Sequence, residues 1–134
     1  MTGIQKFIVA LAVLILAGCA PKDVQSVDVK EASERLARGE LLLDIRENDD
    51  YKEFHIPNSM SIPYGRLASR LAELEPYKAK PIMVIDHSGL RTPRALELLQ
   101  KAGYAQVFAV KGGIAEWQAA GLPVEKSDIR PHQN

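Results

Sequence analysis

The stretch that decides the fold is IMVIDHSGLRTPRALELLQKAGY, residues 82–104. Its apolar run suits a buried strand and stops at Asp86 in a short polar loop, after which a helical pattern begins at once. Thr92 is expected to cap this helix, with Pro93 in the first turn and Gly103 at the end. A loop between a strand and a helix N-terminus can turn its backbone N–H groups inward and cradle an anion. The loop is therefore the first candidate for a functional site.

The rest of the folded part also alternates between strand and helix patterns. Further strands are predicted within residues 41–45, 59–63 and 106–110, and further helices within residues 28–40, 48–54, 64–77 and 112–121. Short connections between alternating elements predict an α/β fold with a parallel sheet and helices on both faces. In such sheets ligands bind beyond the carboxyl ends of the strands, and Asp86 stands at such an end.

Three details of the helices are specific enough to be checked. Asp28 and Glu31 have the spacing of a capping box at the start of the first helix. Asn48 or Asp49 is expected to cap the second helix. Pro76 is expected to end the third helix, whose leucines recur at helical spacing.

Composition excludes several classes of function. The chain has 134 residues, of which 46% are apolar, so it forms one domain with an ordinary core. Its 17 basic and 17 acidic residues are interspersed, so no nucleic-acid-binding stripe is expected. His55, His87 and His132 lack metal-ligand spacing, and neither a metal nor another cofactor is expected.

The N-terminal segment has the pattern of an export signal. Residues 7–17 form an apolar run of 11 residues after Lys6, which as a helix would reach about 16 Å, roughly half a bilayer core. Residues 16–19, LAGC, resemble the lipobox of bacterial lipoproteins. The resemblance implies that residues 1–18 are removed and that Cys19 carries fatty-acyl chains such as palmitate. The alternatives are an ordinary signal peptide with a chance cysteine, or a buried cysteine of the apolar run.

The lipoprotein interpretation has consequences for location and for chemistry. Residues 19–26 would be a short tether at a membrane of the bacterial cell envelope. Ala20 rather than Asp after the cysteine implies the periplasmic face of the outer membrane, if the host has two membranes. Cys19 is the only cysteine, so its acylation would leave the mature chain without a thiol. Disulfides and catalytic cysteines would then both be excluded.

The loop itself resembles the active-site loop of the rhodanese (thiosulfate sulfurtransferase) family, C-x-x-G-x-R-[ST]. Residues 86–92 read D-H-S-G-L-R-T and match at Gly89, Arg91 and Thr92. Four further stretches resemble the family in order: LLLDIRENDDYKEFHIPNS, SIP, GGIAEW and AAGLPV. The resemblance implies a rhodanese-like fold of about five parallel strands over residues 27–125, followed by a polar tail at residues 126–134.

The departure from the family pattern falls on the decisive residue. The family's nucleophile is a cysteine whose thiolate carries a sulfane sulfur as a persulfide, and Asp86 stands at that position. A carboxylate keeps the negative charge and loses the sulfur chemistry. It would also repel an anionic substrate at about 4 Å by on the order of 4 kcal/mol at an effective dielectric near 20. Sulfurtransferase activity is therefore expected to be lost, which makes the chain a pseudoenzyme.

The neighbours of Asp86 have both functional and structural interpretations. The active-site-like loop consists of Asp86, His87, Ser88, Gly89, Leu90, Arg91 and Thr92. Arg91 is either an anion ligand or a brace against loop carbonyls or an acidic partner. Ser88 is expected to make loop hydrogen bonds, and His87 to be exposed.

Further residues are expected to support the domain. Asp44 and Arg46 are expected to form ion pairs near the loop, His55 to pack and hydrogen-bond, and Trp117 to lie in the core.

The function expected from these features is that of a membrane-anchored binding or scaffolding module. Its partner would be a protein at the loop face, which the sequence does not identify. The alternatives are a sulfurtransferase, an aspartate-dependent phosphatase or an anion-sensing site that uses the same loop.

Overall fold

A computed structural model describes residues 24–127. The strands are β1 (Ser26–Val27), β2 (Leu41–Asp44), β3 (Met60–Ser61), β4 (Ile82–Ile85) and β5 (Val107–Val110). The helices are α1 (Val29–Ala37), α2 (Asn48–Glu53), α3 (Tyr64–Leu67), α4 (Thr92–Lys101) and α5 (Gly113–Ala119), with a 3₁₀ segment at Ala68–Tyr77. None of the helices within residues 24–127 has the length and apolar character needed to span a bilayer.

All five strands run parallel in one sheet, in the order β1-β5-β4-β2-β3. β2 and β4 are central neighbours, and their register pairs Asp44 with Ile85. Because the strands are parallel, their carboxyl ends share one edge of the sheet, where the loop that begins at Asp86 also lies. The predicted α/β fold with about five parallel strands is confirmed.

Two apolar clusters lie on opposite faces of the sheet. Leu43 and Val84 pack with Leu99 of α4 in one cluster. Leu42 and Met83 pack with Trp117 of α5 in the other. Alternate residues of buried strands point to opposite faces, so both faces must be covered by helices. The expected burial of Trp117 is confirmed, and the sheet edge that carries the loop is held from both sides.

The start of α1 follows the sequence prediction, and the start of α2 does not. Asp28 caps α1 by accepting a hydrogen bond of 2.8 Å from the backbone N–H of Glu31. The cap residue of α2 is Glu47, which is extended at φ −62° and ψ 154° and makes no side-chain capping bond. The prediction of Asn48 or Asp49 as the cap was wrong, because the chain turns into the helix immediately after the buried Arg46.

The third helical segment also differs from the prediction. α3 ends at Leu67 and continues as a 3₁₀ segment that includes Pro76, with a kink at Arg70, where φ is −112° and ψ is 16°. The prediction that Pro76 ends the third helix was therefore wrong. Leu67 and Leu74 are still fully buried, because side chains three or four residues apart share a face in both helix types.

The ends of the described chain are tied to the domain. Ser26, which the sequence places in the tether, pairs with Ala109 in the sheet. Glu125 forms an isolated antiparallel bridge with His55. The predicted signal segment, Cys19 and most of the predicted C-terminal tail lie outside the described residues.

Candidate functional site

The loop at residues 86–91 joins β4 to α4 at the carboxyl edge of the sheet. Its first residue follows the central strand β4, and the backbone N–H of Ile45 in the neighbouring chain segment donates to Ile85 O at 3.0 Å. Two central strands therefore fix the start of the loop. The end of the loop is fixed by the first turn of α4.

The side chain of Asp86 fills the space inside this loop. Its Oδ1 accepts a hydrogen bond from the N–H of Gly89, and its Oδ2 accepts from Arg91 at 2.7 Å and from Thr92 at 3.2 Å. Only 4% of the residue is exposed. Converging backbone N–H groups at a helix N-terminus form an anion cradle, and here the anion is the protein's own carboxylate.

Asp86 also provides the cap that was expected from Thr92. The N-cap residue of α4 is Arg91, and it makes no side-chain capping bond. Thr92 is fully buried inside the first turn, and its Oγ1 has no hydrogen-bond partner among residues 24–127. The prediction of a Thr92 cap was wrong. The Asp86 carboxylate reaches the N–H groups of Arg91 and Thr92 first, because the loop turns back over the helix end.

The start of α5 forms the back wall of the loop. The N–H of Ile114 donates to Asp86 O at 2.9 Å, and the N–H of Ala115 donates to His87 O at 3.1 Å. Gly113 has a φ of +61°, and a Cβ at that position would lie 2.6 Å from the backbone O of Asp86 and from the backbone C and O of His87. Only glycine fits this approach.

The sequence did not predict that Gly113 supports the loop. The pair Gly112–Gly113 was interpreted as the opening of a helix and as part of the GGIAEW stretch that resembles the family, and both residues have positive φ. A double glycine after a buried strand could have signalled a close backbone approach. The partner in that approach is far away in sequence and could not be named.

A shallow cavity of about 200 Å³ opens beside the filled cradle. The residues that line it are Ile45, Arg46, Asp86, His87, Ser88, Leu90 and Arg91. Leu90 projects at the tip of the loop and is 85% exposed. The loop thus presents an apolar tip to solvent beside a cavity lined by both apolar and charged side chains.

Two polar side chains of the loop approach the start of α2. Arg91 Nη1 lies 3.5 Å from Glu47 Oε1, and His87 Nε2 lies 3.2 Å from Asp50 Oδ2. All four side chains are well exposed, so each contact contributes little stability. Arg91 was expected to be either an anion ligand or a brace, and its contact with Glu47 is of the kind expected for a brace.

Comparison with known proteins gives the family. The sequence profile of the rhodanese-like domain family matches residues 28–120. The chain belongs to the rhodanese-like domain family. The family expectation drawn from the loop and the four ordered stretches is confirmed.

The relatives of this rhodanese-like chain include proteins with and without a stated activity. It is 39% identical over 85 residues to the uncharacterized protein YibN of Escherichia coli, covering 63% of this chain and 59% of that protein. It is 32% identical over 103 residues to a sulfurtransferase of Allochromatium vinosum, covering 75% of this chain and 94% of that protein. The chain thus spans about three fifths of the length of YibN and nearly all of the sulfurtransferase.

Solved structures agree with the fold. A rhodanese-related protein from Thermoplasma volcanium superposes with a TM-score of 0.69 at 31% identity, covering 75% of this chain and 97% of that one. A thiosulfate sulfurtransferase from Pseudomonas aeruginosa gives 0.70 at 25% identity, covering 78% of this chain and 20% of that one. The rhodanese-like architecture therefore rests on both sequence and structure.

The rhodanese-like domain carries a second buried carboxylate next to the loop. Asp44 is fully buried, and its Oδ2 accepts a hydrogen bond of 2.8 Å from Arg46 Nη2 while its Oδ1 accepts one of 3.1 Å from Nε. The Nη2 group also donates to Phe54 O at 2.8 Å. The predicted ion pair is present, and it ties the end of β2 to the residue after α2. It makes no hydrogen bond to the 86–91 loop within the described residues.

His55 fastens the C-terminal segment to α2. Its Nδ1 lies 3.0 Å from Tyr51 O, its Nε2 lies 3.0 Å from Glu125 Oε1, and its ring stacks on Tyr51 at 4.2 Å between centroids. Burial raises the pKa of Tyr51 above its usual value. The expected packing and hydrogen-bonding role of His55 matches these contacts.

Within residues 24–127 no group of three or more acidic, histidine or cysteine side chains forms a metal site.

Proposed function

We propose that this rhodanese-like domain does not transfer sulfur and works as a binding or scaffolding module. One observation carries the proposal: the Asp86 carboxylate is buried and accepts three backbone N–H groups of its own loop. The cradle that would hold an anionic group of a substrate is satisfied by a side chain. What remains for a partner is the outer rim of the loop.

The chemistry of the side chain supports the loss of sulfur transfer. By resemblance to the family, position 86 is that of the cysteine that carries sulfur as a persulfide. A thiolate at a helix N-terminus is both charged and nucleophilic near neutral pH. A carboxylate oxygen that accepted a sulfur would form an unstable acyl species. The only cysteine of the chain is Cys19, in a different part of the sequence.

Electrostatics supports the same proposal. A thiosulfate or phosphate group near the loop would meet the negative charge of Asp86 in a mostly buried setting. At about 4 Å and an effective dielectric near 20 the repulsion is on the order of 4 kcal/mol, nearly three decades in affinity. Such anions are therefore excluded from the cradle and not simply left unreacted.

Sulfur transfer from thiosulfate to cyanide tests this proposal. The full chain carries Cys19→Ser in every sample and is assayed with Asp86 intact, as Asp86→Cys and as Asp86→Ser, so that position 86 is the only variable. We expect turnover in the Asp86→Cys sample alone. Turnover by the unaltered loop would refute the proposal. The serine variant controls for a change that opens the cradle without providing a thiol.

We also propose that the domain is exported and held by lipid on Cys19, at the periplasmic face of the outer membrane in a host with two membranes. The support is the 11-residue apolar run followed by LAGC. Cells given radioactive palmitate should label the chain, and Cys19→Ala should abolish the label. Label that survives this substitution, or no label at all, would contradict the anchor.

A second use of the same loop is favoured by one observation. The cavity of about 200 Å³ is lined by Arg91, whose side chain is 59% exposed and forms a single ion pair among residues 24–127, at 3.5 Å from Glu47 Oε1. An anion bound there, outside the cradle, is the alternative to a protein partner. Hydrolysis of a generic phosphate ester, or a melting temperature that rises with phosphate in the unaltered chain and not in Arg91→Gln, would favour this alternative.

A further inference from the structure

The two edges of the parallel sheet carry opposite charge. The amino edge consists of the segments that precede β2, β4 and β5, namely residues 38–40, 78–81 and 102–106. It contains three cations, Arg38, Lys78 and Lys80, and one anion, Glu40. The carboxyl edge consists of residues 45–50, 86–91 and 111–112, which contain three cations and four anions. The amino edge is thus the basic side of the domain.

The cations of the amino edge are exposed, and its anion is already paired. Arg38, Lys78 and Lys80 are all exposed. Glu40 accepts a hydrogen bond of 2.5 Å from Arg35 Nε. The positive charge of Arg35 therefore balances the negative charge of Glu40. The acidic group near Lys78 is Glu75, 3.9 Å away and itself well exposed. The three cations of this edge therefore lie at the protein surface, where they can meet a negatively charged surface.

The N-terminal segment reaches the domain at the same edge. β1 runs parallel to β5 with Ser26 opposite Ala109 and Val27 opposite Val110. Counting back two residues brings Val24 level with Val107, where β5 begins. Cys19 is five residues before Val24, so the intervening chain spans at most about 17 Å. A membrane that holds Cys19 must lie close to the amino edge.

The loop lies at the opposite end of the strands. A strand of four residues such as β4 is about 13 Å long, so the loop begins that much farther from the membrane than the amino edge. Turning the domain to bring the loop to the membrane would use most of the tether. It would also bring the more acidic carboxyl edge against the negative headgroups.

From this geometry and charge we infer that the amino edge of the sheet docks on anionic lipid headgroups and holds the Asp86 loop facing away from the membrane. The inference rests on the proposed anchoring near residue 19. Its consequence for function is that a partner of the loop approaches from the aqueous side. Because the headgroup interaction is electrostatic, the orientation weakens as ionic strength rises and the Debye length falls below about 10 Å.

Depth-dependent quenching tests the orientation in the full chain. Fluorophores are attached through Ala79→Cys at the amino edge or Leu90→Cys at the loop tip, with the protein reconstituted in vesicles that contain a nitroxide-labelled lipid. In phosphatidylcholine with about a third phosphatidylglycerol, we expect quenching at position 79 to exceed that at position 90 severalfold. In pure phosphatidylcholine, or at high salt, the difference should shrink to the part that the short tether alone imposes.

Matched charge variants identify the surface. The combined substitution Arg38→Gln, Lys78→Gln, Lys80→Gln should reduce the difference between the two labels to the value seen in pure phosphatidylcholine, because each cation near an anionic surface contributes about a fivefold preference. The control Lys30→Gln, Lys111→Gln, Lys126→Gln removes the same charge elsewhere and should leave the difference intact. Equal quenching of both labels in every lipid would overturn the inference. It would indicate that the basic edge binds an acidic protein instead of lipid headgroups.

Failure of the anchor and failure of the orientation give different results. If palmitate labelling fails but the apolar run at residues 7–17 holds the chain in the vesicles, the tether still enters at the amino edge. The quenching test then applies in a Cys19→Ser background, which keeps the fluorophore off position 19. A lipid-anchored chain whose loop label is the deeper one would retain the anchor and contradict the orientation.

Discussion

Asp44 and Asp86 are two buried carboxylates at the ends of neighbouring strands, and their partners differ. Asp44 is fully buried and is matched by the guanidinium of Arg46, a full opposite charge. Asp86 is 4% exposed and is matched by backbone N–H groups of its own loop. The first arrangement is an ion pair that holds the fold together. The second is an anion site of the backbone that a side chain occupies.

The comparison shows how burial alone fails to separate structural from functional carboxylates. Removing Asp44 leaves a buried cation without its partner, and one nitrogen of Arg46, Nη1, already has no partner among residues 24–127. Removing Asp86 leaves N–H groups beside an open cavity, where water or an anion can take the place of the carboxylate. The two sites should therefore respond differently to the same substitution.

The largest effect is expected from Asp44→Ala. The free energy of unfolding should fall by about 3–5 kcal/mol, because an uncompensated guanidinium is left in the core. Denaturant unfolding followed by circular dichroism measures it. The double variant Asp44→Leu, Arg46→Met is the control, and it should recover most of the loss because no charge stays buried. A single variant as stable as the unaltered chain would break the distinction between the two carboxylates.

Next in size is Gly113→Ala. The new Cβ would collide with the backbone of Asp86 and His87, and the residue would keep a positive φ, so we expect a loss of about 2 kcal/mol or more. Gly121→Ala is the matched control. Its φ is +70° with no atom within 4 Å of the added Cβ, so only the backbone cost of about 1 kcal/mol applies. Equal losses in thermal unfolding would mean that α5 does not support the loop.

A smaller effect is expected from Asp86→Ala. Loss of the acceptor for three N–H groups should cost about 1–3 kcal/mol in buffer without multivalent anions. Sulfate can bind in the emptied cradle and restore part of this stability. At ten times its dissociation constant, sulfate should raise the free energy of unfolding by about 1.4 kcal/mol. The unaltered chain should not respond to sulfate in this way. Calorimetric melting with and without sulfate, at matched ionic strength, separates the two samples.

The smallest effect is expected from Arg91→Gln. The ion pair with Glu47 is long and exposed on both sides, so the change in the free energy of unfolding should stay within about 0.5 kcal/mol. The variant Glu47→Gln should behave alike. A loss above 1 kcal/mol, measured by urea unfolding, would show that Arg91 braces the loop more strongly than this contact implies.

Much of the fold was predictable because it depends on local patterns. The apolar runs at β2, β4 and β5, the Asp28 cap and the glycine start of α5 are all signals within a few residues. The caps of α2 and α4 were not predictable in the same way. For α4 the acceptor is Asp86, six residues from Thr92 in sequence, and only the turn of the loop brings the two together.

The candidate site was predictable in its residues and not in its packing. The loop motif identified residues 86–92 by resemblance to the family. The role of Gly113 depends on a contact with residues 86 and 87, more than 25 positions away in sequence, which a strand and helix pattern does not encode. The exposed tip at Leu90 likewise becomes visible only when the loop is folded over its own aspartate.

The most direct test of the central claim is a mass measurement after incubation with thiosulfate. In a Cys19→Ser background, we predict that Asp86→Cys gains one sulfur atom, located to residue 86 by peptide mapping and removed by cyanide. The chain with Asp86 intact should gain none. A sulfur adduct on the chain that keeps Asp86 would contradict the account, because it would show that the loop still carries sulfur without a cysteine.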